Sequence, residues 1–142
     1  MPLEDDGPIF SDNAPKAVGS YPHARKVGDL IFVSGTGPRH PVTNEIVGGA
    51  ITDENGNPTD YDIRAQTKQV IENIKSILAE QNLTLENVVD CQCFLIDMDR
   101  DFSGYNEVYG EYFSDILATR TTLSVTALPT PIAVEMKVIA KC

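Results

Sequence analysis

A regular stripe of side chains between residues 63 and 78 constrains the fold of this chain more than any other feature. The members of the stripe recur at helical spacing, and the charged residues between them lie on other faces of a helical wheel. The stripe comprises Ile63, Thr67, Val70, Ile71, Ile74, Ile77 and Leu78. Asp60 or Asp62 stands before it as a helix cap. The pattern predicts a long amphipathic helix that covers a β-sheet, because its apolar face must be buried.

Strand patterns surround this helix. Residues 21–27 and 30–34 flank Gly28-Asp29, a two-residue loop typical of a tight β-hairpin. The stretch 41–58 contains Gly48-Gly49 and Asn55-Gly56 and is predicted to be mostly loop, with a short strand at 45–47. Another strand is expected at residues 88–96, after the helix.

A second helix and two further strands complete the predicted fold. Asp99 or Asp101 is expected to cap a helix whose stripe is aromatic: Phe102, Tyr105, Val108, Tyr109 and Tyr112. Strands are then expected at 121–127 and 132–140. Together these elements predict an α+β fold, a single mixed sheet of about six strands with two helices on one face. The other face lacks a cover, which predicts association into a homo-oligomer.

Length and charge limit the class of protein. The 142 residues, 42% of them hydrophobic and 23% charged, fit a single domain, which we place at residues 13–142 after an acidic extension at 1–12. The formal net charge of −10 disfavours nucleic acid and anionic membranes as partners. No apolar stretch is long enough to span a membrane, and the acidic start does not resemble a signal peptide, so we expect a cytoplasmic protein.

The few cysteines and histidines do not suggest a metal site. Cys91 and Cys93 lie two apart in an apolar run and are interpreted as buried free thiols. With Cys142 the chain has three cysteines, an odd number. His23 and His40 belong to no helical ligand spacing. We expect neither a structural nor a catalytic metal.

Near the end of the chain, one arginine and one glutamate stand out on adjacent strands. If Pro129 and Thr130 form the turn of a hairpin, Ser124 lies opposite Glu135, and Arg120 lies on the same face roughly 13 Å further along. That gap is too wide for a salt bridge and leaves room for a substrate, a water or a neighbouring subunit. The structural alternative is that Arg120 is a solvated strand end and Glu135 a charge that protects an edge strand.

Five blocks of the sequence resemble the reactive intermediate deaminase (RidA/YjgF) family, over residues 13 to 142. The blocks agree with the family in order and spacing; they are residues 14–21 (APKAVGSY), 33–35 (VSG), 105–109 (YNEVY), 119–122 (TRTT) and 134–136 (VEM). The resemblance implies a chorismate-mutase-like fold that forms homotrimers, with hexamers as an open alternative, and active-site clefts between subunits. No cofactor is implied.

The resemblance also implies a chemistry and a set of site residues. Arg120 would bind a substrate carboxylate bidentately, and Glu135 would orient a water that hydrolyses an enamine or imine to a ketone and ammonia. The remaining implied substrate-binding positions are Tyr21, which closes the cleft, Ser34, Gly35, Asn106 and Thr122.

Departures from the family pattern suggest the substrate. Thr122 replaces a common cysteine, and Thr36 a common glutamine, before Arg39 and His40. With His23, these two residues offer extra donors for a second carboxylate, unless they are simply exposed loop residues. The chain in this respect resembles the branch that deaminates 2-aminomuconate in aromatic-compound degradation. A general 2-iminoacid deaminase and a non-enzymatic, ligand-binding trimer are the alternatives.

Overall fold

The computed structural model describes residues 2–142 and has one six-stranded sheet and two helices, as the sequence predicts. The strands run in the spatial order β1-β2-β3-β6-β4-β5. Along the chain the elements are β1 (Gly7–Ile9), β2 (Ala24–Val27), β3 (Leu30–Val33), α1 (Ile63–Ala79), β4 (Val88–Leu95), α2 (Met98–Phe113), β5 (Thr119–Ser124) and β6 (Val134–Lys141). The α+β fold class is therefore confirmed.

Helix α1 forms where its stripe predicts it and is capped by Asp62. The Asp62 carboxylate accepts a hydrogen bond from the Ala65 amide at 3.0 Å, which satisfies a backbone donor of the first turn. The buried face continues along the whole helix. Gln66 on that face accepts from the Ala133 amide at 2.8 Å and donates to the Gly49 carbonyl at 2.7 Å, so it ties α1 to the loops on both sides.

Helix α2 begins earlier than the sequence analysis predicts. Its cap is Asp97, which accepts from the Arg100 amide at 3.0 Å, so the prediction of Asp99 or Asp101 is wrong. Strand β4 already ends at Leu95, and the chain therefore turns into the helix at the first of the three aspartates. Asp101 is instead fully buried and accepts from the Arg100 guanidinium and the Tyr61 hydroxyl, both at 2.5 Å.

The hairpin at Gly28-Asp29 is confirmed. Val27 pairs with Leu30, and Gly28 has a φ of 61°, the left-handed conformation that such a turn requires. Strand β1, which the sequence analysis does not predict, adds to β2 as an edge strand. In the loop that follows β3, the short strand expected at 45–47 is reduced to a single bridge between Arg39 and Ile46.

The predicted hairpin between the last two strands is wrong. β5 pairs in parallel with β4, while β6 lies between β3 and β4 and is antiparallel to both. Helix α2 provides the crossover that a parallel β4–β5 pair requires. The chain then passes from the sheet edge back over β4, so β5 and β6 never contact each other as neighbouring strands.

The helices cover one face of the sheet only. On β6 the residues facing the helices are fully buried, namely Val134, Met136, Val138 and Ala140. The alternate residues, Glu135, Lys137 and Ile139, are half-buried on the other face. Cys91 and Cys93 on β4 are buried free thiols, as expected, and burial raises the pKa of Cys93 to about 12. Among the described residues, no helix is both long and apolar enough to cross a membrane.

Candidate active site

A cavity of about 330 Å³ lies beside β6, on the face that the helices leave open. Tyr21 lines it from the segment before β2, and Ser34 and Gly35 line it from the end of β3. Glu135 and Lys137 reach it from β6, where residues two apart point to the same side. The volume is at the lower end of the range that binds small molecules.

Glu135 is the most distinctive group in this cavity. Burial raises the pKa of its carboxyl group above the usual value, because the charged form loses hydration. Within residues 2–142 it makes no ion pair. A half-buried carboxylate without a direct ion-pair partner is costly to stability and is a common property of catalytic acids and bases.

A β-bulge brings the backbone of Gly35 against this carboxylate. Phe32 pairs with Ile139 and Thr36 bridges to Met136, so three residues on one strand face two on the other. A Cβ atom on Gly35 would lie 2.6 Å from a Glu135 carboxylate oxygen, which only glycine avoids. Within the described part of the chain, the Gly35 amide has no backbone acceptor and is therefore available to a ligand.

His23 and Ser34 hold the wall of the cavity. The His23 ring accepts from the Ser11 amide at 3.0 Å through Nδ1, and its Nε2 donates to the Pro15 carbonyl at 2.7 Å. The Ser34 hydroxyl donates to the Pro22 carbonyl at 2.8 Å. Both side chains line the cavity, yet their polar atoms form hydrogen bonds within the protein. They therefore stabilise the wall of the cavity and are not free to donate to a substrate.

Arg120 lies outside this cavity, on an aromatic shelf formed by α2. Its guanidinium carbon is 4.6 Å from the ring centroid of Tyr109 and 5.5 Å from that of Tyr105, distances at which cation–π attraction operates. Its Nη1 donates to the Asn106 side-chain oxygen at 2.8 Å. The neighbouring Thr122 hydroxyl lies 2.8 Å from the Tyr105 hydroxyl. Three of the predicted site residues, Arg120, Asn106 and Thr122, thus form a second cluster.

The two clusters lie on opposite faces of the sheet. Arg120 pairs with Cys91 and shares its helix-covered face, whereas Glu135 pairs with Phe94 on the open face. Their backbones are separated by two strand spacings, roughly 10 Å, and by a similar distance along the strands. The predicted common face for Arg120 and Glu135 is therefore wrong. One chain cannot present both side chains to the same small molecule.

Of the extra donors that the sequence suggests, Arg39 lines the cavity and His40 does not. The Arg39 Nη1 donates to the Asn44 carbonyl at 2.9 Å, and the His40 Nδ1 accepts from the Val42 and Thr43 amides. Both therefore also stabilise their own loop. Sequence reasoning missed Lys137, although its position two residues after Glu135 on a strand is a signal that could have revealed it.

The chain is similar in sequence and in fold to several known proteins. The family model described as Endoribonuclease L-PSP matches residues 11–142. A RutC family protein of Pyrococcus abyssi is 44% identical over 132 residues, which are 93% of this chain and 94% of the relative. RidA from an Antarctic Psychrobacter species has a TM-score of 0.82 and 34% identity, covering 96% of this chain and 99% of that one. E. coli TdcF, solved with bound serine, has a TM-score of 0.79 and 29% identity, covering 96% and 98%.

Proposed function

The chain belongs to the Endoribonuclease L-PSP family, which includes the RidA/YjgF proteins, and from this we propose that it hydrolyses imines or enamines of small carboxylic acids and releases ammonia. Imine and enamine deamination, or protection against reactive intermediates, is the general activity of that family. An RNA substrate fits this chain poorly, because a formal net charge of −10 repels a polyphosphate backbone.

The observation that carries the proposal is the environment of Glu135. Its carboxyl group has a raised pKa, faces a small cavity and lies against the backbone of Gly35. A carboxylate with a raised pKa is a stronger base than usual. A larger fraction of it is also protonated at a given pH, so the same group can donate a proton. Hydrolysis of C=N needs both a proton acceptor and a proton donor, and one such group can serve in both roles.

The chemistry requires only water and this proton carrier. Glu135 accepts a proton from water as the water oxygen adds to the C=N carbon, and it passes this proton to the imine nitrogen as the π bond breaks. The resulting carbinolamine loses ammonia when Glu135 accepts the hydroxyl proton and gives it to the amine nitrogen as the C–N bond breaks. The products are a ketone and ammonia, and the carboxylate ends in its initial state.

We further propose that the active site is completed by a second copy of the chain. Arg120 is a carboxylate-binding group by its fork geometry, yet it lies on the opposite face from Glu135. β5 is an edge strand with an exposed face, and Glu135 lies on a sheet face without helices, so both are accessible to a partner. A homotrimer with the Arg120 of one copy beside the Glu135 of the next satisfies both constraints.

The finer proposal concerns the substrate, 2-aminomuconate. Three cationic residues line the cavity, Lys16, Arg39 and Lys137, against one carboxylate. This local excess of positive charge in an acidic protein supports an unsaturated amino dicarboxylate, with one acid group on Arg120 and the other in the cavity. A general deaminase of short imino acids is the second candidate, and the serine bound in the similar E. coli TdcF favours it.

Ammonia release from enzymatically generated 2-aminomuconate tests the proposal. We expect wild-type protein to accelerate release over spontaneous hydrolysis, and Glu135→Gln and Arg120→Ala each to lose this acceleration by about a hundredfold or more. A parallel assay with an imine of a short monocarboxylic acid separates the two candidates. A higher kcat/KM for the short imine would reject 2-aminomuconate as the main substrate, and no acceleration of either would reject the deaminase function.

A further inference from the structure

The charge of the cavity differs from that of the molecule as a whole. The chain carries a formal net charge of −10, yet the residues lining the cavity include Lys16, Arg39 and Lys137 and only one acidic side chain, Glu135. A pocket with this balance attracts anions locally, because nearby charges act more strongly than distant, screened ones. The question is which of the three cations is free to bind a ligand.

Lys137 is the half-buried cation of the cavity that the described part of the protein leaves unpaired. Arg39 gives one of its donors to the Asn44 carbonyl, and Lys16 is exposed at the outer wall. Within residues 2–142, the Lys137 ammonium group makes neither a hydrogen bond nor an ion pair, although the side chain is half-buried. Placing such a group in a cavity without a partner is unfavourable unless a ligand supplies the counter-charge.

The position of Lys137 relative to Glu135 is also set by the strand. The two residues are separated by one position on β6 and share its open face, so their Cα atoms lie roughly 7 Å apart. A substrate whose reacting carbon is at the Glu135 carboxylate therefore reaches Lys137 with a group several bonds away. The strand is in the middle of the sheet, which fixes this spacing more firmly than a loop would.

We propose that Lys137 determines specificity by binding a second acid group of the substrate, remote from the carbon that undergoes hydrolysis. This inference rests on the proposed function and assigns the residue that selects dicarboxylic over monocarboxylic imines. Arg120 of a neighbouring copy would hold the acid group next to the C=N bond, and Lys137 the distal one. Lys137 contacts substrate in this scheme but takes no part in proton transfer.

Two imines of similar length provide the test. 2-Iminoglutarate and 2-iminohexanoate are generated in place by an amino acid oxidase, and their lifetimes are followed by trapping with semicarbazide. We expect the ratio of kcat/KM for the diacid to kcat/KM for the monoacid to fall about tenfold or more in Lys137→Met. Lys137→Arg should restore most of the ratio. Lys141→Met is the matched control, because Lys141 lies on the same strand and face but outside the cavity, paired with Asp29 at 3.3 Å.

Other outcomes overturn the inference. An equal loss on both imines would show that Lys137 has a structural role, and an unchanged ratio would show that it does not contact the substrate. If wild-type protein hydrolyses neither imine, binding of glutarate and of hexanoate by calorimetry decides the inference, and the proposed function itself fails only if 2-aminomuconate is not hydrolysed either. A preference for glutarate that disappears in Lys137→Met supports the inference, whereas equal affinity of wild type for both acids overturns it.

Discussion

At the scale of single residues, burial of Glu135 lowers the stability of the folded protein at pH values where the carboxylate is charged. Burial raises the pKa of its carboxyl group, so the folded protein holds this proton more tightly than the unfolded chain does. The contribution of Glu135 to the free energy of unfolding is therefore most favourable at low pH. It declines as the pH rises from the ordinary carboxyl value through the raised one.

Glu135→Gln should consequently be more stable than wild type at pH 7, and this difference should disappear at pH values below the ordinary pKa of glutamate. Denaturant unfolding at pH 7 and pH 4 measures it. In the wild type, kcat/KM should fall as the pH decreases through the raised pKa, because the protonated carboxyl cannot accept a proton from water. A variant that is less stable at pH 7 would contradict this account of the site.

Gly35→Ala should reduce kcat about tenfold or more with little loss of stability, since the added Cβ would lie 2.6 Å from the Glu135 carboxylate and displace it. The φ of Gly35 is not positive, so the backbone accepts alanine. Gly7→Ala is the matched control, because its Cβ meets only Leu3 at an ordinary 3.7 Å. An active Gly35→Ala enzyme would show that the position of the carboxylate is not critical.

At the scale of elements, α2 orients the side chain of Arg120, which lies on β5. The helix presents Tyr109, Tyr105 and Asn106 to the guanidinium of Arg120, which would otherwise sample many rotamers on an exposed edge strand. The same helix is the crossover that allows β5 to lie parallel to β4. Helix α2 therefore determines both the position of Arg120 and the orientation of its guanidinium group.

Asn106→Asp should raise KM for carboxylate substrates more than Asn106→Ala does. The aspartate would neutralise the charge of Arg120, whereas alanine removes only the hydrogen bond of 2.8 Å that orients it. Steady-state kinetics of the two variants provide the comparison, with thermal unfolding to confirm that both remain folded. Equal KM values would indicate that Arg120 does not bind the substrate through its charge.

The local signals predicted most of these elements, while their pairing was not accessible to the same reasoning. Helical spacing and Asp62 identified α1, and Gly28-Asp29 identified the first hairpin. Adjacency in the chain favours a hairpin between the last two strands, which the structure does not form. The strand–helix–strand order of β4, α2 and β5 favours a parallel pair, and this longer-range signal gives the observed topology.

At the scale of the whole molecule, one face of the sheet remains to be covered. Phe32, Phe94 and Ile139 are half-buried there, and Leu123 is 50% exposed on the edge strand. Apolar groups on an open sheet face favour association. Under the proposed function, the separation of Arg120 from Glu135 within one chain means that two copies assemble one site.

Mixing two inactive variants tests this arrangement. Arg120→Ala and Glu135→Gln, unfolded together in equal amounts and refolded, should regain up to about one quarter of wild-type activity, because one interface in four combines an intact Arg120 with an intact Glu135. Each variant refolded alone is the control. If both residues acted within one chain, every mixed oligomer would contain only damaged sites and no activity would return.

The sequence by itself determined the helices, the first hairpin and the choice of candidate site residues, since helical periodicity, turn residues and short motifs depend on neighbours along the chain. Only the tertiary structure decided which face each site residue occupies. The pairing of β6 with β4 comes from burying residues such as Met136 and Val138 beneath the helices, a free energy that depends on contacts between distant segments. That pairing separates Arg120 from Glu135 and brings Lys137 to the cavity.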